Sequence, residues 1–352
     1  MQEVRSPTIN VLMVIEIALL LLALALPPFL DSFWVLFVTK IFILALLAIS
    51  FDLVWGYAGI MSFGQALFFG VAGYSVALLS QKTGVSSVFV LLPVAATIGL
   101  LLAFLMALLV ILGKRIPSLA FVALGTMTGS YVIERLARGW SYVGGQNGIS
   151  SLPRLTAGEL EIEEGILFCY MALSILIVIY LTCRWLVRSQ FGLVLAGIRQ
   201  QESRIAFLGY NVQTFKAVIF SLAGMIAGIS GALFAFHEGF VGPGQLGPVL
   251  STQAVLYVLF GGVGTLVGAI IGVTVLDLMN FLLPQVEFFG PTVKNFLETG
   301  WPILLGLLLL ATVLFRPTGL MGFVMRDRSR NFFFGKKDDS VATEKTDTGV
   351  QS

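Results

Sequence analysis

Residues 184–216 read RWLVRSQFGLVLAGIRQQESRIAFLGYNVQTFK and lie between two long apolar runs. Five basic side chains fall within this segment: Arg184, Arg188, Arg199, Arg204 and Lys216. Loops on the cytosolic side of a membrane protein are enriched in lysine and arginine. We therefore expect the segment to be a cytosolic loop that joins two membrane spans, and we refer to it as the basic loop.

The composition indicates a membrane environment for the rest of the chain. Hydrophobic residues make up 57% of the 352 residues and charged residues only 11%, whereas soluble domains carry roughly 25% charged residues. Apolar runs of about 20 residues recur, which is the length that a helix needs to cross a bilayer. The formal net charge is only +2 and the basic residues cluster in loops, which gives no indication of nucleic-acid binding. The predicted fold class is all-α, a polytopic membrane protein embedded in a lipid bilayer.

We predict about ten transmembrane helices, some of them short or broken. They lie near residues 9–28, 34–55, 60–80, 88–112, 116–137, 165–183, 217–238, 249–262, 264–283 and 299–316. The basic loop and the basic C-terminal tail then fall on one side of the membrane, so the positive-inside rule predicts that both termini are cytosolic. The transmembrane domain covers residues 1–326, with a cytosolic loop at about 184–216 and a periplasmic loop at about 138–164. The polar residues 327–352 are predicted to form a disordered cytosolic tail.

The sequence contains no motif for ATP binding, metal binding or catalysis. The phosphate-binding loop of many ATPases needs Gly-Lys followed by Ser or Thr, but Arg115 follows Gly113-Lys114. His237 is the only histidine, so neither a metal site nor a Ser-His-Asp triad is expected. We predict a protein that passes a solute through the membrane, which is not itself an enzyme and has no cofactor or metal of its own.

Two segments are unusually rich in glycine, VWGYAGIMSFG at 54–64 and LFGGVGTLVG at 259–268. Glycine lets helices break, or approach closely, where a cavity or a neighbouring helix satisfies the backbone amides. The segments share a Gly-x-x-Gly pattern followed by another glycine, which is compatible with an internal duplication or with chance similarity. We expect broken helices at both segments.

Seven charged residues lie in or near apolar runs: Glu16, Lys40, Asp52, Glu134, Arg135, Glu238 and Asp277. Because a charge in hydrocarbon is costly, each should face a cavity, a partner or an interface. Structural ion pairs or snorkelling side chains are the favoured interpretation. Asp52 could also accept hydrogen bonds from the amides of a broken helix. The charges form no row, which argues against a proton-coupled carrier.

The basic loop itself is predicted to contain one short amphipathic helix. Phe191 and Gly192 should break the preceding helix, and Gly209 and Asn211 suit a turn because both tolerate positive φ. Such a helix can lie on lipid headgroups or fit a groove on a partner protein. Its spacing alone leaves both interpretations open.

Short motifs also follow one another in a specific order along residues 40–320. They are VWGYAG at 54–59, SFG at 62–64, GGQNGI at 144–149, SQFG at 189–192, GAL at 231–233, GFV at 239–241, GGVGT at 261–265 and FRPTGL at 315–320. In this order they resemble LivM-type permeases, the membrane subunits of branched-chain amino-acid ABC importers, which have close relatives for urea and other amides. Gln65 stands where the family often has histidine and Asp52 where it often has asparagine, so the solute is the most uncertain part of the resemblance.

The resemblance implies an importer assembled from several subunits in a bacterial-type inner membrane. A second, homologous permease subunit would share the solute pathway, and a periplasmic binding protein would deliver the solute. Two cytosolic ATPase subunits would bind ATP and Mg²⁺. Branched-chain or related amino acids are the expected solute. The alternatives are a permease for urea or short amides, a channel or facilitator that needs no ATP, and a membrane scaffold without transport.

The resemblance also assigns roles to particular residues. Residues expected to couple the chain to the ATPases are Arg199, Glu202, Ala206, Leu208, Gly209 and Asn211. Residues expected along the pathway at broken helices are Gly56, Gly59, Gly64, Gln65, Gly261, Gly262 and Gly264. Residues expected to face the binding protein are Gly144, Gly145, Asn147, Gly148, Phe240 and Pro243.

Overall fold

Helices form most of the chain in the computed structural model, which describes residues 7–113, 118–158, 160–282, 306–307 and 319–321. Within these residues there are eleven α-helices: α1 (Pro7–Ala25), α2 (Ser32–Asp52), α3 (Gln65–Thr83), α4 (Val88–Val110), α5 (Leu119–Gly139), α6 (Ile166–Arg188), α7 (Gln190–Gln200), α8 (Glu202–Phe207), α9 (Val212–Glu238), α10 (Pro248–Gly261) and α11 (Val267–Leu282). Helix α2 continues into a π-helical turn at Leu53–Tyr57.

Four short strands add two antiparallel pairs to the predicted all-helical fold. Strand β1 (Ile149–Ser150) pairs with β4 (Phe240–Val241), and β2 (Leu155–Ala157) pairs with β3 (Leu160–Ile162). Helix α6 runs from these strands to α7, and α9 returns from α8 to them. The strands and the pair α7–α8 therefore lie at opposite ends of the bundle, which we call the strand end and the loop end.

The described helices are those of a polytopic membrane protein. Within the described residues, four are long and apolar enough to cross a membrane: Ser32–Tyr57, Val88–Val110, Ile166–Arg188 and Val212–Glu238. Shorter apolar helices lie at Val14–Ala25, Pro248–Gly261 and Val267–Leu282. The third predicted span begins at Gln65 rather than near residue 60, because residues 58–64 form a turn. The total of ten spans and the side of the termini stay predictions, since the tenth span and the tail at 327–352 lie largely outside the described residues.

Helix α9 is central to the bundle and packs against α2, α3 and α4. At its crossing with α4 the backbones are so close that a methyl group on Gly228 would lie 2.6 Å from the carbonyl oxygen of Ala95. On α4, a methyl group on Gly99 would lie 3.1 Å from the Cα of Gly228 and would also strike the carbonyl of Gly224. Lipid tails are as apolar as leucine, so helices in a membrane associate through this kind of close packing between small residues.

Replacing Gly99 with alanine is therefore expected to destabilise the protein. The added methyl group must push α4 away from α9, and overpacking of this kind costs about 1–3 kcal/mol. Thermal unfolding of the purified protein in detergent measures the effect as a lower Tm. The matched control is Gly139→Ala at the end of α5, where an added methyl group has no neighbour within 4 Å. Equal Tm values for the two variants would contradict the proposed helix contact.

Several of the charges in apolar runs are paired within the chain. Glu16 of α1 forms an ion pair with Arg184 of α6 and accepts a hydrogen bond of 2.9 Å from the Tyr180 hydroxyl. Glu134 pairs with Arg138 one turn further along α5, with 2.7 Å between Nη2 and Oε1. These contacts agree with the structural ion pairs that the sequence led us to expect.

Candidate functional site

The two glycine-rich segments meet at the loop end of the bundle. Gly56 lies in the turn that ends the α2 span, and Gly264 lies in the turn between α10 and α11. A methyl group on Gly56 would lie 2.6 Å from the Gly264 nitrogen and 2.7 Å from its Cα. Only glycine allows two backbones to come this close, which explains why broken helices and glycines coincide here.

A buried carboxylate links the two segments. Asp52 has no exposed surface, and its Oδ1 accepts a hydrogen bond of 2.6 Å from the Gly264 N–H. Its Oδ2 accepts one of 2.9 Å from the Leu266 N–H. Both amides lie in the three residues before α11, at the end of a helix where backbone donors lack intrahelical partners and a negative charge is favoured. The expectation that Asp52 binds amides of a broken helix is confirmed.

Arg199 brings the basic loop to the same place. Its guanidinium Nη1 donates a hydrogen bond to the Gly56 carbonyl, which lies at the C-terminal end of the α2 span. The arginine side chain also covers Gly59, whose φ is +69° and whose added methyl group would lie 3.2 Å from the Arg199 Cγ. We call this meeting point of Asp52, Gly56, Gly264 and Arg199 the glycine junction.

The other predicted pathway residues lie on either side of the junction. Gly64 precedes α3 and the fully buried Gln65 begins it, with the Gln65 side chain accepting a hydrogen bond of 3.2 Å from the Ser50 hydroxyl. A methyl group on Gly261 would collide with the Gly268 backbone of α11. Gly262 packs against Gly319 of the closing FRPTGL motif. The Ser50–Gln65 hydrogen bond thus connects the start of α3 to α2, the helix that carries Asp52 of the glycine junction.

Three hydroxyl groups that sequence reasoning did not select hold the turn before α3. Thr126 accepts a hydrogen bond of 3.0 Å from the Phe63 N–H, and Ser130 donates one of 3.0 Å to the Phe63 carbonyl. Ser251 accepts one of 3.1 Å from the Ala66 N–H. These partners come from α5 and α10, more than 60 positions away in the sequence. No local sequence pattern predicts contacts between residues this far apart in the chain.

The basic loop contains two short helices rather than the single one that was predicted. Helix α6 continues to Arg188, α7 follows after Ser189, and extended backbone at Gln201 (φ −154°, ψ 98°) separates α7 from α8. The break therefore precedes Phe191 and Gly192 rather than falling on them. Gly192 allows the sharp turn, since a methyl group on it would strike the Val187 backbone.

The predicted coupling residues divide between internal contacts and exposed surface. Glu202 of α8 forms an ion pair with Lys216 of α9, and Asn211 caps α9 by accepting a hydrogen bond of 3.3 Å from the Thr214 N–H. Gly209 has a φ of +88° and ends α8. Ala206, Leu208 and Gly209 are exposed. Arg199 faces the glycine junction.

The exposed tip of the loop is apolar. Phe207 is 90% exposed and Leu208 71% exposed, although both follow the charged first turn of α8. They lie beyond the end of the apolar spans, since α6 ends at Arg188 and α9 begins at Val212. We call Phe207 and Leu208 the loop tip.

At the strand end, the structure brings together the two predicted outer segments. Ile149 pairs with Val241 and Ser150 with Phe240, and Gly148 packs against the Val241 carbonyl and the Gly242 Cα. Gly144 and Gly145 have positive φ values of 84° and 56° that form the tight turns before β1. Asn147 is exposed, Phe240 is partly exposed, and Pro243 is buried beneath the segment.

Long apolar spans with shorter apolar helices around them define a multi-pass membrane protein. The chain belongs to the family of branched-chain amino acid transport system permease components, whose family model matches residues 34–313. The chain is therefore a permease component of a transport system.

Curated relatives cover most of the chain. It is 27% identical over 328 residues to the high-affinity branched-chain amino acid transport system permease protein LivM of Escherichia coli, covering 87% of this chain and 74% of LivM. It is 24% identical over 291 residues to the probable branched-chain amino acid transport permease protein LivH of Methanocaldococcus jannaschii, covering 80% and 89%. It is 26% identical over 284 residues to the autoinducer 2 import system permease protein LsrC of Yersinia enterocolitica, covering 73% of each chain. No solved structure matches the chain.

Proposed function

We propose that the chain is a permease subunit of an ATP-binding-cassette importer that carries branched-chain or related amino acids across a bacterial-type inner membrane. It works with a second, homologous permease, two cytosolic ATPase subunits and a periplasmic binding protein. ATP and Mg²⁺ bind to the ATPase subunits, and this chain has no catalytic site. In this arrangement the loop end and both termini are cytosolic, the chain has about ten spans, and the strand end faces the binding protein.

The observation that carries this proposal is the construction of the basic loop. On one side, Arg199 bonds to the glycine junction between two broken helices. On the other side, the loop tip presents two exposed apolar side chains beyond the spans. A rigid helix pair that is anchored to a broken helix and presents an apolar tip is suited to dock on a moving partner. Rigid-body movement of such an element is a common way to switch a membrane cavity between two openings.

The names of the relatives support the subunit composition. LivM and LivH are both permease proteins of branched-chain amino acid transport, which supports a pair of homologous permeases. LsrC is a permease protein of an autoinducer 2 import system, so relatives of this chain differ in solute. A permease for urea or short amides is therefore the second candidate, and an ATP-independent facilitator is the third.

Reconstitution separates these functions. We expect the chain to take up labelled leucine in proteoliposomes only with the second permease, the ATPase pair, the binding protein and ATP. Uptake of urea by the same assembly, with no uptake of leucine, would favour the second candidate. ATP-independent flux through the chain alone would overturn the proposal.

Replacing Phe207 with glutamate is expected to prevent assembly with the ATPases. The change places a charge in an interface that should bury the phenyl ring, and loss of such an anchor costs about 2 kcal/mol or more, which corresponds to roughly 30-fold weaker binding. Co-purification of the ATPase pair with the tagged permease measures the effect. The control is Leu160→Glu, the same kind of change on a 68% exposed residue of β3 at the strand end. Normal co-purification with Phe207→Glu would exclude the loop tip as the docking surface.

A further inference from the structure

We propose that Lys40, Asp277 and Glu238 form a site within the spans that recognises the ammonium and carboxylate groups of a zwitterionic α-amino acid. The inference deepens the proposed function and rests on it. We call these three residues, together with Tyr257, the Lys40 cluster.

Two of the three charges lie within the length of the apolar helices, and the third, Glu238, is the last residue of α9. Lys40 is eight residues from the start of α2 at Ser32, which is about 12 Å from the strand end. Asp277 is ten residues from the start of α11 at Val267, which is about 15 Å from the loop end. Both residues are therefore well inside helices that cross or enter the membrane, where an ionisable group indicates a functional site by default.

The cluster consists of two contacting pairs, contributed by four helices. The Lys40 ammonium lies 3.2 Å from the Glu238 carboxylate of α9 and 5.7 Å from the centre of the Phe234 ring. The Tyr257 hydroxyl of α10 donates a hydrogen bond of 2.6 Å to Asp277 Oδ1 of α11. Phe37, one turn from Lys40, and Phe281, one turn from Asp277, have their ring centres 5.2 Å apart, so α2 and α11 bring the two pairs to neighbouring positions. One positive and two negative groups thus form a single cluster.

The cluster is not sealed inside the bundle. The side chains of Lys40 and Glu238 are 40% and 36% exposed, and Asp277 is only partly buried. A charged pair this open is costly against lipid tails, so the surface that it shares must face water or a partner subunit. A pathway between two permeases, as proposed above, supplies both.

An apolar surface adjoins the charges on the same two helices. Phe37 lies one turn from Lys40 on α2, and Phe281 lies one turn from Asp277 on α11, with their ring centres 5.2 Å apart. Trp34 lies 5.4 Å from the same Phe281 ring. Apolar walls with a few converging polar groups are the general composition of small-molecule sites. The arrangement suits a ligand that combines two opposite charges with an apolar side chain.

These features point to an amino acid rather than to urea. The solute carboxylate is placed to pair with Lys40, and its ammonium group with Asp277 and Glu238. The second oxygen of Asp277, Oδ2, accepts no hydrogen bond from the residues that the structure describes, which leaves it available to an ammonium group. Urea is neutral and cannot form ion pairs with the three charged groups. Binding urea would remove water from these charges without pairing them, which would weaken the binding of urea.

The test measures which charged group of the solute each residue recognises. The assembled transporter, held in nanodiscs without nucleotide, is titrated with labelled leucine against two analogues: isoamylamine, which lacks the carboxylate, and 4-methylpentanoate, which lacks the ammonium group. With the unmodified protein we expect each analogue to compete about tenfold or more weakly than leucine, since each lacks one charge-assisted hydrogen bond. In Lys40→Met, leucine and isoamylamine should compete equally. In Asp277→Asn, the preference for leucine over 4-methylpentanoate should fall, because one of the two carboxylates that pair with the ammonium group is lost.

Controls distinguish recognition from folding and from failure of the proposed function. Lys82→Met removes an exposed lysine at the strand end and should keep the full discrimination. Lys40→Met combined with Glu238→Gln avoids leaving the Glu238 carboxylate without its partner. Leucine and isoamylamine should still compete equally, and the preference for leucine over 4-methylpentanoate should fall because Glu238 is one of the two ammonium partners. A wild-type chain that does not assemble with the ATPases would refute the proposed function and this inference with it. Unchanged discrimination in every variant, with assembly and ATP hydrolysis intact, would overturn the site alone and leave the cluster a structural ion pair.

Discussion

Replacing Gly56 with valine is expected to abolish ATP-driven solute uptake while leaving ATP hydrolysis measurable. The new side chain would occupy the space that Asp52 and the Gly264 backbone fill in the glycine junction. Overpacking at such a contact costs about 3 kcal/mol. If the 54–64 and 259–268 segments can be either in contact or apart, this cost favours the separated form by roughly 100-fold. Movement of the basic loop would then no longer be transmitted to the broken helices, and the membrane cavity could not switch between its two openings. Uptake of labelled leucine by proteoliposomes containing the full assembly measures the effect.

Gly139→Val is the matched control for this variant. It adds the same side chain to a glycine whose added methyl group meets no atom within 4 Å, so uptake should be unaffected. The Tm of both variants in detergent shows whether each is folded. Uptake by folded Gly56→Val close to that of the unmodified chain would exclude a role for the junction in transport.

Replacing Arg199 with glutamine is expected to uncouple ATP hydrolysis from transport. The change removes a charge-assisted hydrogen bond to the Gly56 carbonyl, which is worth about 1.5–3 kcal/mol. The amount of leucine moved per ATP hydrolysed should therefore fall by roughly tenfold or more. ATPase association should be retained, because Arg199 faces the glycine junction and the loop tip carries the docking surface. Arg199→Lys keeps the charge but lacks the planar guanidinium group. Its ratio of leucine moved to ATP hydrolysed should therefore lie between those of the unmodified chain and Arg199→Gln.

The control for Arg199 is Arg188→Gln, the same substitution at an exposed residue at the end of α6. It should leave the ratio of leucine to ATP unchanged. Two outcomes would contradict the assigned role. An unchanged ratio in Arg199→Gln would show that the bond to Gly56 does not transmit movement. Loss of ATPase association in Arg199→Gln would show that the residue docks rather than links.

Much of the membrane architecture could be predicted from local sequence. Apolar length predicted the spans because a helix that crosses a bilayer must satisfy its own backbone and expose apolar side chains. The 14-residue span at Pro248–Gly261 agrees with its structure. The single amphipathic helix in the basic loop was a wrong prediction, because the break at Gln201 depends on how α8 is tied to α9 by the Glu202–Lys216 pair. That pair spans 14 positions and leaves no periodic signal.

The candidate site was only partly accessible to sequence reasoning. Glycines at 56 and 264 were correctly assigned to broken helices, since few other reasons exist for clustered glycines inside apolar runs. That these two glycines face each other was not predictable, because the contact joins positions 208 apart. Lys40 and Asp277 were identified as charges in apolar runs, but their partners Glu238 and Tyr257 were not predictable, since each charge looks isolated when read along its own helix.

The sequence by itself determined the solvent, the class of secondary structure and the positions where helices can break, because these follow from apolar length and from backbone freedom at single residues. Tertiary structure decided which breaks meet and which charges become partners. Asp52 reaches the amides of Gly264 and Leu266 across 212 and 214 positions, and Arg199 reaches Gly56 across 143. Contacts between such distant positions depend on how the helices pack in three dimensions, and small residues at each crossing set that packing.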